Sequence, residues 1–248
     1  MAGRLYDRGL EGEARTRATR HLEEVCGKFG GECFEFDGCL VPTEWVRVRA
    51  GAGMLRRTKR REAVMRLSKP RVAPVRDEEL DDEGRAFMQT VSREGRVLNI
   101  YRTLVAHPKL LRRWGVFGTH VLYKSTLPAR ERELLILRTG WLCRSEYEWG
   151  QHVIIAKGCG VTDEEIERVK AGPEADDWRP FDAALLRAAD ELHCDSFISD
   201  ATWEALSERF DTQQLIDAIF AVGQYHIVSM ALNTLGVQLD DGVKGFDR

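Results

Sequence analysis

The chain has 248 residues, is 43% hydrophobic and 31% charged, and carries a formal net charge of −3 with a pI of about 6.1. That balance fits a soluble protein with one sizeable core, and it argues against nucleic acid or an anionic membrane surface as a partner. No apolar run reaches the ~18 residues of a membrane span, and the most apolar late segment, Leu215 to Leu235, is interrupted by Asp217, Gln224, His226 and Asn233. No basic-then-apolar leader follows Met1, so a cytoplasmic location with six reduced cysteines is expected.

Residues 1–64 are rich in Arg and Gly, show no sustained apolar period, and hold Cys26, Cys33 and Cys39. A small metal site of these cysteines with His21 is one reading, but the spacing C-x6-C-x5-C lacks the close pairs of zinc sites. A disordered extension is the expectation. An untranslated stretch is a further one, with Met65 as the start, because Arg60-Arg61-Glu62 can be encoded by purine-rich codons like a ribosome-binding site. Residues 65–248 then form the folded domain.

Within that domain the signals are helical. Pro70 and Pro74 mark an extended lead-in. Asp81 or Asp82 caps a helix to about Arg93, with Phe87, Met88 and Val91 inward. Val97 to Val105 has helical spacing, and Pro108 suits the first turn of a helix carrying Leu110, Leu111, Trp114, Phe117, Val121 and Leu122. Leu127-Pro128 opens the helix that holds Glu133. A break at Cys143-Arg144 precedes another helix from Ser145, which Gly158 and Gly160 end. Thr162-x-x-Glu165 is a capping box for a short helix through Val169. Asp182 to Leu192 is helical, Ser199-Asp200 caps the next helix, and Asp211 or Thr212 caps the last, which Gly236 closes. No strand alternation occurs in this part, so the class is all-α, a compact helical bundle.

Counted at 100° per residue from Ser145, one continuous face carries Ile155, Glu148, His152, Ser145, Ala156, Trp149 and Val153. Most of it is apolar, so it points inward and takes Glu148 and His152, one turn apart, with it. Buried ionisable groups need a partner or a task. Two accounts stand side by side. In one, Ser145-x-x-Glu148 is a capping box and His152 a satisfied core histidine. In the other, Glu148 and His152 form a working pair.

The spacing E-x11-S-x2-E-x3-H of Glu133, Ser145, Glu148 and His152 resembles the carboxymuconolactone decarboxylase superfamily, which includes the alkylhydroperoxidase D-like proteins. The peroxidase branch has E-x11-C-x2-C-x3-H. The present chain is closer to the decarboxylases, with Glu and His four apart and then Gly160-Val161-Thr162-Asp163-Glu164-Glu165-Ile166; the resemblance runs from about Ser68 to Val237. It implies the alkylhydroperoxidase D-like bundle and homo-oligomers, trimers or hexamers, with pockets near subunit contacts. Ser145 and Glu148 stand where the peroxidases carry thiols, and no cysteine lies three residues from Cys143, so thiol peroxidase chemistry is not expected.

Decarboxylation suits the remaining groups. An acid conjugated to a lactone or ketone loses CO2 without a cofactor if the carbonyl takes the electrons and a proton reaches carbon. His152 is the expected proton donor or base and Glu148 its orienting partner. Glu133 is a second carboxylate or relay, unless Arg130 or Arg132 simply pairs with it. Tyr147, Trp149 and Trp141 are candidate walls for a flat substrate, with plain core packing favoured for the two tryptophans. Ser145 and His226 complete the candidate substrate contacts, and His226 outranks His120 and His193 because it shares a face with Ser229, Met230 and Asn233. His107 reads as a turn residue. A metal at Glu148 and His152 lacks a third ligand, so neither metal nor cofactor is expected. The other class of function is a non-catalytic, small-molecule-binding oligomer of the same fold.

Overall fold

In the computed structural model, residues 33–36, 39–42, 66–92 and 95–246 are described. Contacts divide the chain into two units, Met1–Arg61 and Glu62–Arg248. In the first, β1 (Cys33–Phe36) pairs antiparallel with β2 (Cys39–Pro42), Phe36 opposite Cys39. The sequence reading made no strand here. The two intervening residues are Asp37-Gly38, the kind of dipeptide that favours a two-residue hairpin connection. Beyond these eight strand residues, where a disordered extension was expected, the rest of 1–64 lies outside the described residues, and so does a metal at Cys26 and His21.

The second unit is an all-α bundle organised around α4, Ala129–Leu142. From Glu131 to Gly140 every residue of α4 is buried. A helix covered all round is normally apolar, yet this span holds Glu131, Arg132, Glu133 and Arg138. Each is matched. Arg209 pairs with Glu131, Arg132 with Glu133, and Arg138 donates to Asp190 Oδ2 at 2.8 Å and to the Val169 carbonyl at 2.8 Å. Burial of charge is tolerable only with such partners.

The other helices follow the local signals closely. Asp81 caps α1 (Asp82–Val91) by accepting from Gly84 N at 2.7 Å. After α2 (Asn99–Leu104), Pro108 opens α3 (Pro108–Thr119). A single π-helical turn, His120–Lys124, follows α3 and had no signal in the sequence. α5 is Glu146–Gly158, and α6 (Asp163–Ala171) has its Thr162/Glu165 capping box. α7 (Pro180–Asp195) starts two residues before expectation, because Pro180 takes the first helical position. Ser199 caps α8 (Asp200–Ser207). Asp211 and Gln214 box the start of α9 (Thr212–Leu235), and Gly236, at φ 73°, ends it in the left-handed region where glycine meets no Cβ penalty.

α4 packs on α5, α7 and α9. Leu134, Leu135, Ile136 and Leu137 meet Val169, Leu185, Leu186, Leu206 and Val222 in one core. Truncating any of these leucines to alanine costs roughly 2–5 kcal/mol. Among the described residues, α9 is the one helix long and apolar enough to cross a membrane, but half of its apolar window is buried inside the bundle, so it serves as a core helix. Its inward face is Leu215, Ala218, Val222, Tyr225, Ser229 and Leu232. Ile216, Phe220, Ile227 and Met230 face out, 47–61% exposed. On α3 and the turn after it, Val121 is buried, and Trp114, Phe117 and Leu122 pack on the core clusters.

Candidate active site

α4 packs along α5, and a Cβ on Gly140 would meet Glu148 Cγ and Trp149 N at an ordinary contact distance of 3.6 Å. That closeness lets Glu133 of α4 reach His152 of α5. His152 Nδ1 lies 2.6 Å from Glu133 Oε2, and its Nε2 lies 2.9 Å from Glu148 Oε1. Glu133 Oε1 also accepts from Arg132, from Nε at 3.1 Å and from a terminal nitrogen at 3.0 Å. Glu133 is 0% exposed, Glu148 4%, His152 5% and Arg132 9%. Two cations and two anions therefore form a buried, balanced quartet.

The charge on His152 follows from its neighbours. Burial by itself pulls the imidazolium towards deprotonation. Glu133 and Glu148, by charge and by hydrogen bond, outweigh burial and hold the pKa up, at about 10. Both ring nitrogens face carboxylates, so both donate. The resting form at neutral pH is the imidazolium, a proton donor.

Of the two accounts of Ser145-x-x-Glu148, the capping box does not form. Ser145 N already donates to the Gly140 carbonyl at 2.9 Å, which leaves Glu148 no backbone donor to reach back to. Glu148 turns to His152 instead, and a charge-assisted bond is the stronger partner. The Ser145 hydroxyl, fully buried, makes no cap bond and has no hydrogen-bond partner.

Of the other candidate residues, none joins this quartet. Tyr147 donates to Asp240 Oδ2 and accepts from Ile100 N at 3.3 Å, so it ties α5 to α2 and the C-terminal segment. Trp149 stacks with Trp141 at 5.3 Å and Phe246 at 5.8 Å, the core role favoured for it. His226 lies against His193 instead. Arg130 pairs with Glu165 and Asp182, leaving Glu133 to Arg132.

Two features had no local signal. Tyr225 of α9 stands edge-on to His152, centroids 4.8 Å apart at 82°. Burial, then the Glu148 and Glu133 charges, keep its hydroxyl protonated. The second feature is the C-terminal segment, which covers the face of α5 opposite the quartet. Gln151 donates to Asp240 at 2.8 Å. A Cβ on Gly150 would lie 2.4 Å from the Lys244 carbonyl oxygen, so only glycine admits this approach. That cover explains why Glu146, Tyr147 and Gly150 are buried as well. A narrow cleft lined in part by Arg66, Glu146, Tyr147 and Asn233 lies beside it and includes none of Glu133, Glu148 and His152.

Residues 108–191, a span that contains Glu133, Ser145, Glu148 and His152, match the carboxymuconolactone decarboxylase family. No curated protein matches the chain. Among solved structures, the alkylhydroperoxidase AhpD core protein of Ralstonia eutropha JMP134, an uncharacterized peroxidase-related protein, is 23% identical. It covers 68% of this chain and 92% of its own, with a TM-score of 0.62. An uncharacterized peroxidase-related protein of Silicibacter sp. TM1040 is 16% identical over 75% of this chain and 97% of its own, TM-score 0.59. The debrominase Bmp8, solved with 2,3,4-tribromopyrrole, is 13% identical over 68% of this chain and 91% of its own, TM-score 0.56. At these identities the likeness is one of fold. Residues 108–191 thus match the carboxymuconolactone decarboxylase family, and the helical unit has the fold of the AhpD-like proteins.

Proposed function

We propose that the protein is a cofactor-free lyase, or a related isomerase, acting on a small unsaturated carboxylic acid or lactone. One observation carries this reading: a buried imidazolium bonded through both nitrogens to carboxylates on two helices. In decarboxylation the bond from the substrate carbon to CO2 breaks and its electron pair enters the conjugated carbonyl. His152 then delivers its proton to carbon, and Glu133 and Glu148 stabilise and orient it and relay its replacement. The unpartnered Ser145 hydroxyl shares the face of His152 and is suited to donate to the developing enolate oxygen. Tyr225 walls the ring.

Thiol peroxidase chemistry is not part of this reading, because positions 145 and 148 are Ser and Glu. A non-catalytic, ligand-binding role has one observation in its favour: both nitrogens of His152 are already occupied. Measuring CO2 release and substrate loss over a panel of unsaturated acids and lactones, with wild type against folded His152→Ala, separates the two. Turnover that depends on His152 supports the lyase; binding without turnover supports the other.

The assembly that suits this reading is a homo-oligomer. The outward stripe Ile216, Phe220, Ile227 and Met230 repeats at the spacing of a helix–helix seam, and a second copy would cover it. A reducing cytoplasm suits the free thiols of Cys143, Cys159 and Cys194.

A further inference from the structure

Away from the quartet, three ligand-type side chains meet where three helices end or cross. Cys143 is the C-terminal cap of α4, His193 lies in the last turn of α7, and His226 sits in the middle of α9. Their ligand atoms lie within 4.8 Å of one another. His193 Nδ1 is 2.8 Å from His226 Nε2 and 4.0 Å from Cys143 Sγ.

The group is built rather than incidental. His226 Nδ1 donates to the Val222 carbonyl at 2.8 Å, which fixes the tautomer and leaves the Nε2 lone pair aimed at His193. A histidine whose far nitrogen is held by a backbone carbonyl is the usual arrangement of a metal ligand. The backbone at Cys143 is pinned too. Its carbonyl accepts from Asn233 Nδ2 at 2.9 Å and from Arg66 at 3.2 Å. The next residue, Arg144, takes φ 50°, a left-handed turn that a non-glycine residue adopts only under constraint. His193 is exposed while Cys143 and His226 are half-buried, so the group has an open side towards solvent.

We propose that Cys143, His193 and His226 bind one borderline divalent metal ion, Zn2+ or its spectroscopic stand-in Co2+, with water as the fourth ligand. Two imidazoles and one thiolate suit zinc, and three protein ligands with an open fourth position are the arrangement that leaves room for water or an added ligand. Metal–nitrogen bonds of about 2.0–2.1 Å and a metal–sulfur bond of about 2.3 Å set tetrahedral N···N and S···N separations of about 3.3 and 3.6 Å. The nitrogens therefore spread, and the sulfur closes on His193, each by about half an ångström; the sulfur closes on His226, at most 4.8 Å away, by up to about 1.2 Å, so the Cys143 and His193 side chains both rotate. Binding releases the Cys143 thiol proton to solvent, and the His193 ring proton passes from Nδ1 to Nε2. The site stands independently of the lyase reading, since none of its ligands belongs to the quartet.

The test uses the full chain, reduced and stripped with a chelator, titrated with Co2+ and then with Zn2+. The expected result is one Co2+ per chain with a thiolate-to-cobalt charge-transfer band that Zn2+ abolishes. Cys143→Ser removes the band, His193→Ala weakens binding by more than ~10-fold, and Cys194→Ser, beside His193 in sequence, leaves both unchanged. Because His193 is exposed, its variant keeps the helical circular dichroism of the wild type. Absence of the band in the wild type overturns the proposal. So does a band that survives in Cys143→Ser, or an affinity unaltered in His193→Ala.

Discussion

His152 Nδ1 and Glu133 Oε2 lie 2.6 Å apart although 19 residues separate them in the chain. The contact exists because α4 is buried on all sides and α5 packs along it. It changes what Glu148 alone would do. One carboxylate would orient the imidazole; two lock it in the charged form.

That charge makes a prediction about pH. His152 has a folded pKa of about 10 against an ordinary value of about 6.5 in the unfolded chain. Between these values the folded state holds more protons, so stability falls as pH rises. The contribution is complete below about pH 6.5 and lost through about pH 10. The melting temperature of the wild type should therefore decline more steeply over this window than that of His152→Ala. In NMR the His152 ring should remain protonated at pH 8; a neutral ring at pH 7 would contradict the quartet.

Glu133→Gln tests the balance of charges. It leaves Arg132 and His152 with only Glu148 as counter-charge, all buried. Removing one partner of a buried pair costs roughly 3–5 kcal/mol. Chemical denaturation should show a loss of this size, and a change under ~0.5 kcal/mol would mean that the pairing contributes little.

Ser145→Ala separates the two accounts of the motif. A capping serine would lose ~1 kcal/mol of stability on truncation. Here the hydroxyl has no partner, and deleting an unsatisfied buried group is close to neutral or stabilising. An unchanged or raised melting temperature together with a slower turnover is the expected outcome.

Much of the fold could be read from short-range signals. Asp81, Thr162 with Glu165, Ser199 and Asp211 cap the helices at or next to the positions their residue types indicate. The inward face of α5 was legible from its periodicity. What was not legible is tertiary. Tyr225 meets His152 from α9, and Asp240 to Phe246 close over the other face of α5. Neither contact leaves a periodic trace, because it depends on how helices cross rather than on spacing along one of them. Tyr147 shows the consequence: its hydroxyl bonds Asp240, and the cleft it lines holds none of Glu133, Glu148 and His152. The choice between the two accounts at Ser145 was not legible for a local reason, the Ser145 N–H donating to the Gly140 carbonyl.

The outward stripe of α9 bears on assembly. Ile227, 56% exposed, lies near its middle. Light scattering at micromolar concentration should give a multiple of the chain's 28.2 kDa, and Ile227→Asp should shift it towards the monomer without loss of helix. A monomeric wild type would contradict the proposed seam.

The central claim is that His152 hands a proton to substrate carbon. The direct measurement is deuterium incorporation at that carbon in D2O, using any acid or lactone the protein turns over, in wild type and in His152→Ala of verified fold. The account predicts a rate lower by ~10²–10⁴ in the variant, the usual worth of a positioned acid–base group. Equal rates in the two proteins would contradict it.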